Sequence, residues 1–335
     1  MNLPMLGASG APLMLENIPA LQDEVRALAR ERGAVILAHN YQLPEIQDVA
    51  DYVGDSLGLS QQAAMTDAET IVFCGVHFMA ETASILCPDK QVLIPDLDAG
   101  CSLADSITAE QLRAWKERFA AVSPIVVMYV NTTAEVKAQT DYCCTSANAI
   151  KVVEHIYREY GDEAEILFGP DMFLGAYVEK SLGRVMHVWD GECHVHAGIR
   201  PDDIAAVRAA HPGADFLIHP ECGCSTSVME YVAAGDVDAV GVHMLSTGGM
   251  LSYARAHRSG SAIVATETGM LYPLRQAAPG IDFIAANEAA HCRYMKMITL
   301  PKLRDALRDG VHEVRVARKI ADRARVPIER MVAIT

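Results

Sequence analysis

The chain has 335 residues, of which 51% are hydrophobic and 21% charged, a balance that excludes a disordered chain and fits a well-packed soluble protein. Its formal net charge of −15 argues against a nucleic-acid or anionic-membrane partner, either of which would favour basic patches. No apolar run approaches the ~18 residues of a membrane span, and Met1-Asn2-Leu3-Pro4 lacks the basic start of a signal peptide.

The cytoplasm is therefore the expected compartment. There, nine cysteines point to metal binding or catalysis before a disulfide framework.

In chain order, a strand-like run "VILAHNYQ" at 35 ends in a polar cluster, and a helical stretch then carries Asp51-Tyr52. Ser56 follows at an expected helix start, then the strand "IVFCGVHFMAE" at 71, and "VLIPDLDAGCSLAD" leads to Cys101. The same series recurs from 125. It runs "IVVMYVNT", Asp141-Tyr142, Ser146, "ILFGPDMFLGA" at 166, and "VMHVWDGECHVHA" with Cys193. A third series runs "DFLIHPEC" at 215, Glu230-Tyr231, Ser246-Thr247, "AIVATETGMLY" at 262, and "DFIAANEAAHCRYM" with Cys292. His39 to Asn131 is 92 residues and Asn131 to His219 is 88; the cysteines are spaced 92 and 99 apart.

Strands alternating with helices indicate βαβ units and a mostly parallel sheet. The expected architecture is three similar parallel-sheet α/β sandwich domains around a pseudo-threefold axis. Their spans are 1–118 (with an N-terminal helix), 119–210, and 211–335, the last with an insertion at 222–245 and C-terminal helices. Ligands on such sheets bind beyond the carboxyl ends of the strands. The polar clusters and the three cysteines all fall there.

Three thiolates meeting at one point suit a soft metal or an iron–sulfur cluster. A structural zinc site would normally take four ligands in tighter spacing. A [4Fe–4S] cluster on Cys101, Cys193 and Cys292 leaves one iron open as a Lewis acid for a hydroxyl or carboxylate. Cys74 and Cys87 read as core thiols. Ser56, Ser146 and Ser246-Thr247 precede helical patterns and read as N-caps, and three such N-termini together would cradle an anion. Lys296 could add charge to that cradle. Acid–base candidates are the pairs His39 and Tyr41, Tyr129 and Asn131, and His219 and Glu221. His194, His196 and His291 flank the cysteines as possible outer donors.

The segments "AHNYQLPEIQDVADYVGDSLGLS", "VHFMAETASIL", "IPDLDAGCSLAD", "YVNTTAEVKAQTDYCCTS", "FGPDMFLGAYV", "HPEC", "LSTGGM" and "CRYMKMITL", in this order, resemble the quinolinate synthase family from about residue 30 to 302. That resemblance implies three α/β domains with one [4Fe–4S] cluster, held by residues matching Cys101, Cys193 and Cys292. It implies condensation of iminoaspartate with dihydroxyacetone phosphate to quinolinate, phosphate and water, in de novo NAD biosynthesis. The enzyme that supplies iminoaspartate then becomes a candidate partner. Substrate-binding positions fall on His39, Ser56, Tyr129, Asn131, Ser146, His219, Glu221 and Thr247, and acid–base work on Tyr41, His219 and Glu221. Some members carry three cysteines at the third ligand, where this chain has Cys292-Arg293-Tyr294-Met295 with one. Between "HPEC" and "LSTGGM" the chain is longer than compact members, so Thr247 is matched by motif and not by spacing. Two other readings stand beside this one: a [4Fe–4S] hydro-lyase acting on a hydroxy acid, and an iron–sulfur redox sensor using Cys143-Cys144 and Cys222-x-Cys224.

Overall fold

The computed structural model describes residues 17–234 and 240–334. The N-terminal tetrapeptide therefore lies outside the described residues, as do positions 235–239 of the expected insertion at 222–245. Among the described residues no helix is long and apolar enough to cross a membrane.

Among the described residues, twelve strands form three parallel four-stranded sheets, with helices between the strands. The first sheet holds β1 (Ala34–His39), β2 (Tyr52–Gly54), β3 (Thr70–Cys74) and β4 (Gln91–Leu93). The second holds β5 (Ile125–Tyr129), β6 (Tyr142–Cys144), β7 (Ile166–Gly169) and β8 (His187–Val188). The third holds β9 (Asp215–Ile218), β10 (Val242–Met244), β11 (Gly260–Ala265) and β12 (Ile281–Ala285). The spatial orders are β2-β1-β3-β4, β6-β5-β7-β8 and β10-β9-β11-β12, one topology used three times.

That order decides where chemistry can sit. From the first strand of each sheet the chain crosses to one side, then returns to pair with the other, so the switch point lies between the first and third strands. Open α/β sheets bind ligands in the crevice at this point. The clusters His39–Tyr41, Tyr129–Asn131 and His219–Glu221 are the residues that end or follow β1, β5 and β9. Both faces of these strands are covered: Ile36–Ala38, Val126–Met128 and Phe216–Ile218 are apolar without alternation and fully buried.

The chain divides into two compact units. One carries the first sheet and takes back the segment Cys292–Ala317. In it, helix Leu300–Asp309 packs on helix Ile18–Arg32, and Val314 N–H donates to the Val92 carbonyl. The other runs from Ser102 to His291 and resumes at Arg318. It carries the second and third sheets, with helix Arg318–Ala333 lying on β6.

Two local expectations are corrected. The acid–Tyr pairs do not ride on helices in the first two repeats: Tyr52 and Tyr142 open the edge strands β2 and β6. Asp51 and Asp141 point back, each accepting a first-strand N–H, from Ile36 at 2.7 Å and Val126 at 2.8 Å. Glu230-Tyr231 lies on helix Ser225–Ala234, because the third repeat is longer ahead of its edge strand. There Gly241 (φ +81°) takes the equivalent place, and its carbonyl accepts the Phe216 N–H.

Of the expected caps, Ser246 holds, Ser56 gives way to the residue before it, and Ser146 fails. Asp55, not Ser56, caps helix Ser56–Met65, accepting from Gly58 N–H at 2.8 Å. Ser246 caps helix Thr247–Ala256, so Ser56 and Thr247 are first helical residues. Ser146 caps nothing. Asn148 stands before helix Ala149–Tyr160, and its amide donates to the carbonyls of Met331 and Ile334.

Candidate active site

In the unit carrying the second and third sheets, residues from β5, β9 and the loop after β8 meet. His219 and Glu221 follow β9 and are 3% and 2% exposed. The Glu221 backbone N–H donates to His219 Nδ1 at 3.4 Å. Nδ1 is thereby the acceptor nitrogen, and the Nε2 side faces the Ser146 hydroxyl at 3.2 Å. Burial pushes the His219 imidazole down to about 3, with Glu221 opposing and His196 adding to the shift. His219 is thus a neutral donor at neutral pH.

Glu221 is its complement. Burial works to raise the carboxyl, but the charge and hydrogen bond of His196, then His219 and the Tyr129 hydroxyl, outweigh it and bring Glu221 down to about 2. The neutral His219 lends no charge at pH 7, so the anion rests on His196 and Tyr129. His196 Nδ1 lies 3.0 Å from Glu221 Oε2, its ring stacks on His219 at 4.7 Å, and its Nε2 meets Thr266 Oγ1 at 2.8 Å. Cys193 completes the group: donor atoms of Cys193, His196 and Glu221 all lie within 4.8 Å of one another.

Linkage fixes a pH dependence. An imidazole neutral in the fold down to about 3, but protonated near 6.5 when unfolded, stabilises the fold above pH 6.5. That contribution is lost progressively as pH falls from 6.5 towards 3. Cluster-free protein is expected to unfold at lower urea at pH 5 than at pH 7, and His219→Asn should flatten the difference. A wild-type midpoint unchanged between those pH values would contradict a neutral His219.

Asp171 was not singled out in the sequence. It follows β7, caps helix Met172–Leu182 through Leu174 N–H at 2.7 Å, and is fully buried. Burial first, then Glu221, raises its carboxyl well above the usual range, while backbone hydrogen bonds from Leu174 and Cys193 oppose this. Its only sequence signal was that of an ordinary helix cap. Close by, a Cβ on Gly191 would stand 2.5 Å from the Pro170 carbonyl and 2.6 Å from Ser106 Oγ. Backbone cannot yield there, so Gly191→Ala must displace the turn that carries Cys193. A stability loss of about 1–3 kcal/mol in thermal unfolding is expected.

In the unit of the first sheet, His39 and Tyr41 are buried and their rings meet edge-on at 4.6 Å. The Tyr41 N–H donates to His39 Nδ1 at 3.2 Å, the bond that Glu221 N–H makes to His219. Two repeats thus fix a histidine in the same orientation by the same backbone device. The Lys296 ammonium donates to the Tyr41 carbonyl. Ser56 stands at the first turn of its helix, as Thr247 (3% exposed) does in the other unit. Asn131, after β5, keeps its side-chain oxygen buried with no hydrogen-bond partner.

The cysteines sort by burial. Cys74, Cys87, Cys143 and Cys144 are buried, and Cys222 and Cys224 are joined in a buried disulfide. Cys101, Cys193 and Cys292 are partly exposed. Burial pushes Cys74 up, Cys143 up to about 12 and Cys144 well above the ordinary thiol range, which keeps them from the thiolate form a metal needs. Each partly exposed cysteine precedes a single helical turn: Ala104–Ser106, His194–Ala197 and Met295–Met297. His194 and His291 are exposed and bond to hydroxyls, Ser102 and Thr268, at 2.6 Å each.

Comparison with known proteins matches residues 23–333 to the family model described as Quinolinate synthetase A protein. The chain belongs to the quinolinate synthetase A family. It is 58% identical over 312 residues to the quinolinate synthase of Mycobacterium sp. (strain KMS), covering 93% of this chain and 91% of that relative. To the quinolinate synthase of Mycobacterium tuberculosis (strain ATCC 25177 / H37Ra) it is 56% identical, covering 93% and 88%. These relatives are enzymes, and so is this chain.

Proposed function

We propose that the chain is a quinolinate synthase of NAD biosynthesis, condensing iminoaspartate with dihydroxyacetone phosphate to give quinolinate, phosphate and water. The observation that carries this reading is the buried pair of neutral His219 and ionised Glu221 beside Cys193. Neighbouring groups held in different protonation states are what a sequence of proton transfers needs.

Cys101, Cys193 and Cys292 are the proposed holders of one [4Fe–4S] cluster per chain. Their equal place in the repeat and their partial exposure, against four buried thiols, fit that donor set. When bound, the cluster supplies Lewis acidity at the iron left without a cysteine.

The chain's own side chains do the rest. Glu221, hydrogen-bonded by Tyr129, acts as base; the His219 Nε2–H orients a substrate oxygen together with Ser146. Tyr41 takes the third acid–base position, and His39, Asn131 and Tyr129 bind the substrate. Helix starts at Ser56 and Thr247, with Ser146, hold the phosphate until it leaves; backbone N–H groups can bind it despite the −15 net charge. The three repeats 1–118, 119–210 and 211–335 are the proposed domains. The cytoplasm, where free thiols stay reduced, is the proposed compartment, and the enzyme supplying iminoaspartate is a proposed partner.

Omission of single substrates tests the reading. Product should vanish without either substrate, whereas a hydro-lyase would turn over a hydroxy acid with no triose phosphate present.

A further inference from the structure

We infer that the cluster-free chain holds one thiophilic divalent ion, of the zinc class, on Cys193, His196 and Glu221, in a state that excludes the cluster. Thiolate, imidazole and carboxylate together with an open fourth position form the donor set of a mononuclear zinc or cobalt site. Metal–ligand bonds of about 2.0–2.3 Å place tetrahedral ligands about 3.4 Å apart. The three donor atoms already lie within 4.8 Å of one another, and His196 Nδ1 stands 3.0 Å from Glu221 Oε2. Closing on an ion requires side-chain shifts of only about an ångström.

The surroundings favour a cation. His196 and Glu221 are 3% and 2% exposed, so these two ligands give up little hydration of their own when an ion binds. Thr266 Oγ1 holds His196 Nε2 at 2.8 Å, the outer-sphere contact that turns the other ring nitrogen towards a metal. Asp171, fully buried, interacts electrostatically with both Glu221 and His196. Two carboxyl groups and a thiol around one imidazole leave room for a positive charge. Because Cys193 serves both states, an ion seated here competes with cluster assembly.

The probe is Co2+, titrated anaerobically into full-length cluster-free protein. We expect one Co2+ per chain and a thiolate-to-cobalt charge-transfer band. Cys193→Ala should abolish the band, and His196→Gln and Glu221→Gln should each weaken binding by tenfold or more. Cys292→Ala should leave it intact, although the cluster reading requires Cys292. Circular dichroism of each variant separates lost folding from lost ligation. Zn2+ added first should slow cluster reconstitution in the wild type and not in His196→Gln. No thiolate band, or a band indifferent to both His196→Gln and Glu221→Gln, overturns the site. The readout is optical and needs no turnover, so either result stands apart from the quinolinate assay.

Discussion

Cys193→Ala is expected to abolish both cluster content and quinolinate formation after anaerobic reconstitution. Loss of a direct ligand should exceed the ~10–100-fold cost of losing an outer-sphere partner. The comparison that makes this informative is Cys87→Ala. Cys87 is buried and its thiol donates to the Ala63 carbonyl at 3.0 Å, so its removal should reduce stability while leaving iron content unchanged. Equal iron in both variants would remove Cys193 from the ligand set. Iron and acid-labile sulfide, assayed per chain, decide it.

Glu221→Gln is expected to lower kcat by about 10²–10⁴-fold, the usual share of a positioned general base. Glutamine preserves the shape and can still accept from Tyr129, but it cannot take up a proton. It also leaves His196 facing a neutral amide at the position where Oε2 stood 3.0 Å away. KM should change less than kcat, since glutamine can keep the substrate contact and loses only the proton transfer. Turnover near the wild-type rate would remove Glu221 from the acid–base role.

The fold was largely legible because the repeat is written in spacing. In each sheet the first and third strands are apolar, buried runs, and the first ends in a polar cluster at the switch point. What could not be read is whatever depends on one residue of offset or on distance along the chain. Asp55 and Ser56 are both good caps, and only the helix's actual start separates them. The acid–Tyr pairs resembled helix-borne residues because the strands they open, β2 and β6, are only three residues long.

The site was legible in its pairs and not in its connections. His219 and Glu221 were marked by position, but the Tyr129 hydroxyl that supports Glu221 comes from 92 residues earlier. His196 could be named as a neighbour of Cys193. That it would face Glu221 rather than bond outward depends on tertiary packing. Asp171 looked like any helix cap. Its burial beside Glu221 follows from two sheets meeting in one unit, which no local pattern encodes.

Condensation of two substrates with release of phosphate fixes the ratio of the two products. The most direct measurement is therefore stoichiometric. Cluster-loaded protein is incubated anaerobically with iminoaspartate and dihydroxyacetone phosphate, and quinolinate and inorganic phosphate are quantified together. Equal amounts of both, in many-fold excess over enzyme, are the result that this condensation requires. Phosphate release with no quinolinate, or neither product from fully cluster-loaded protein, would contradict it.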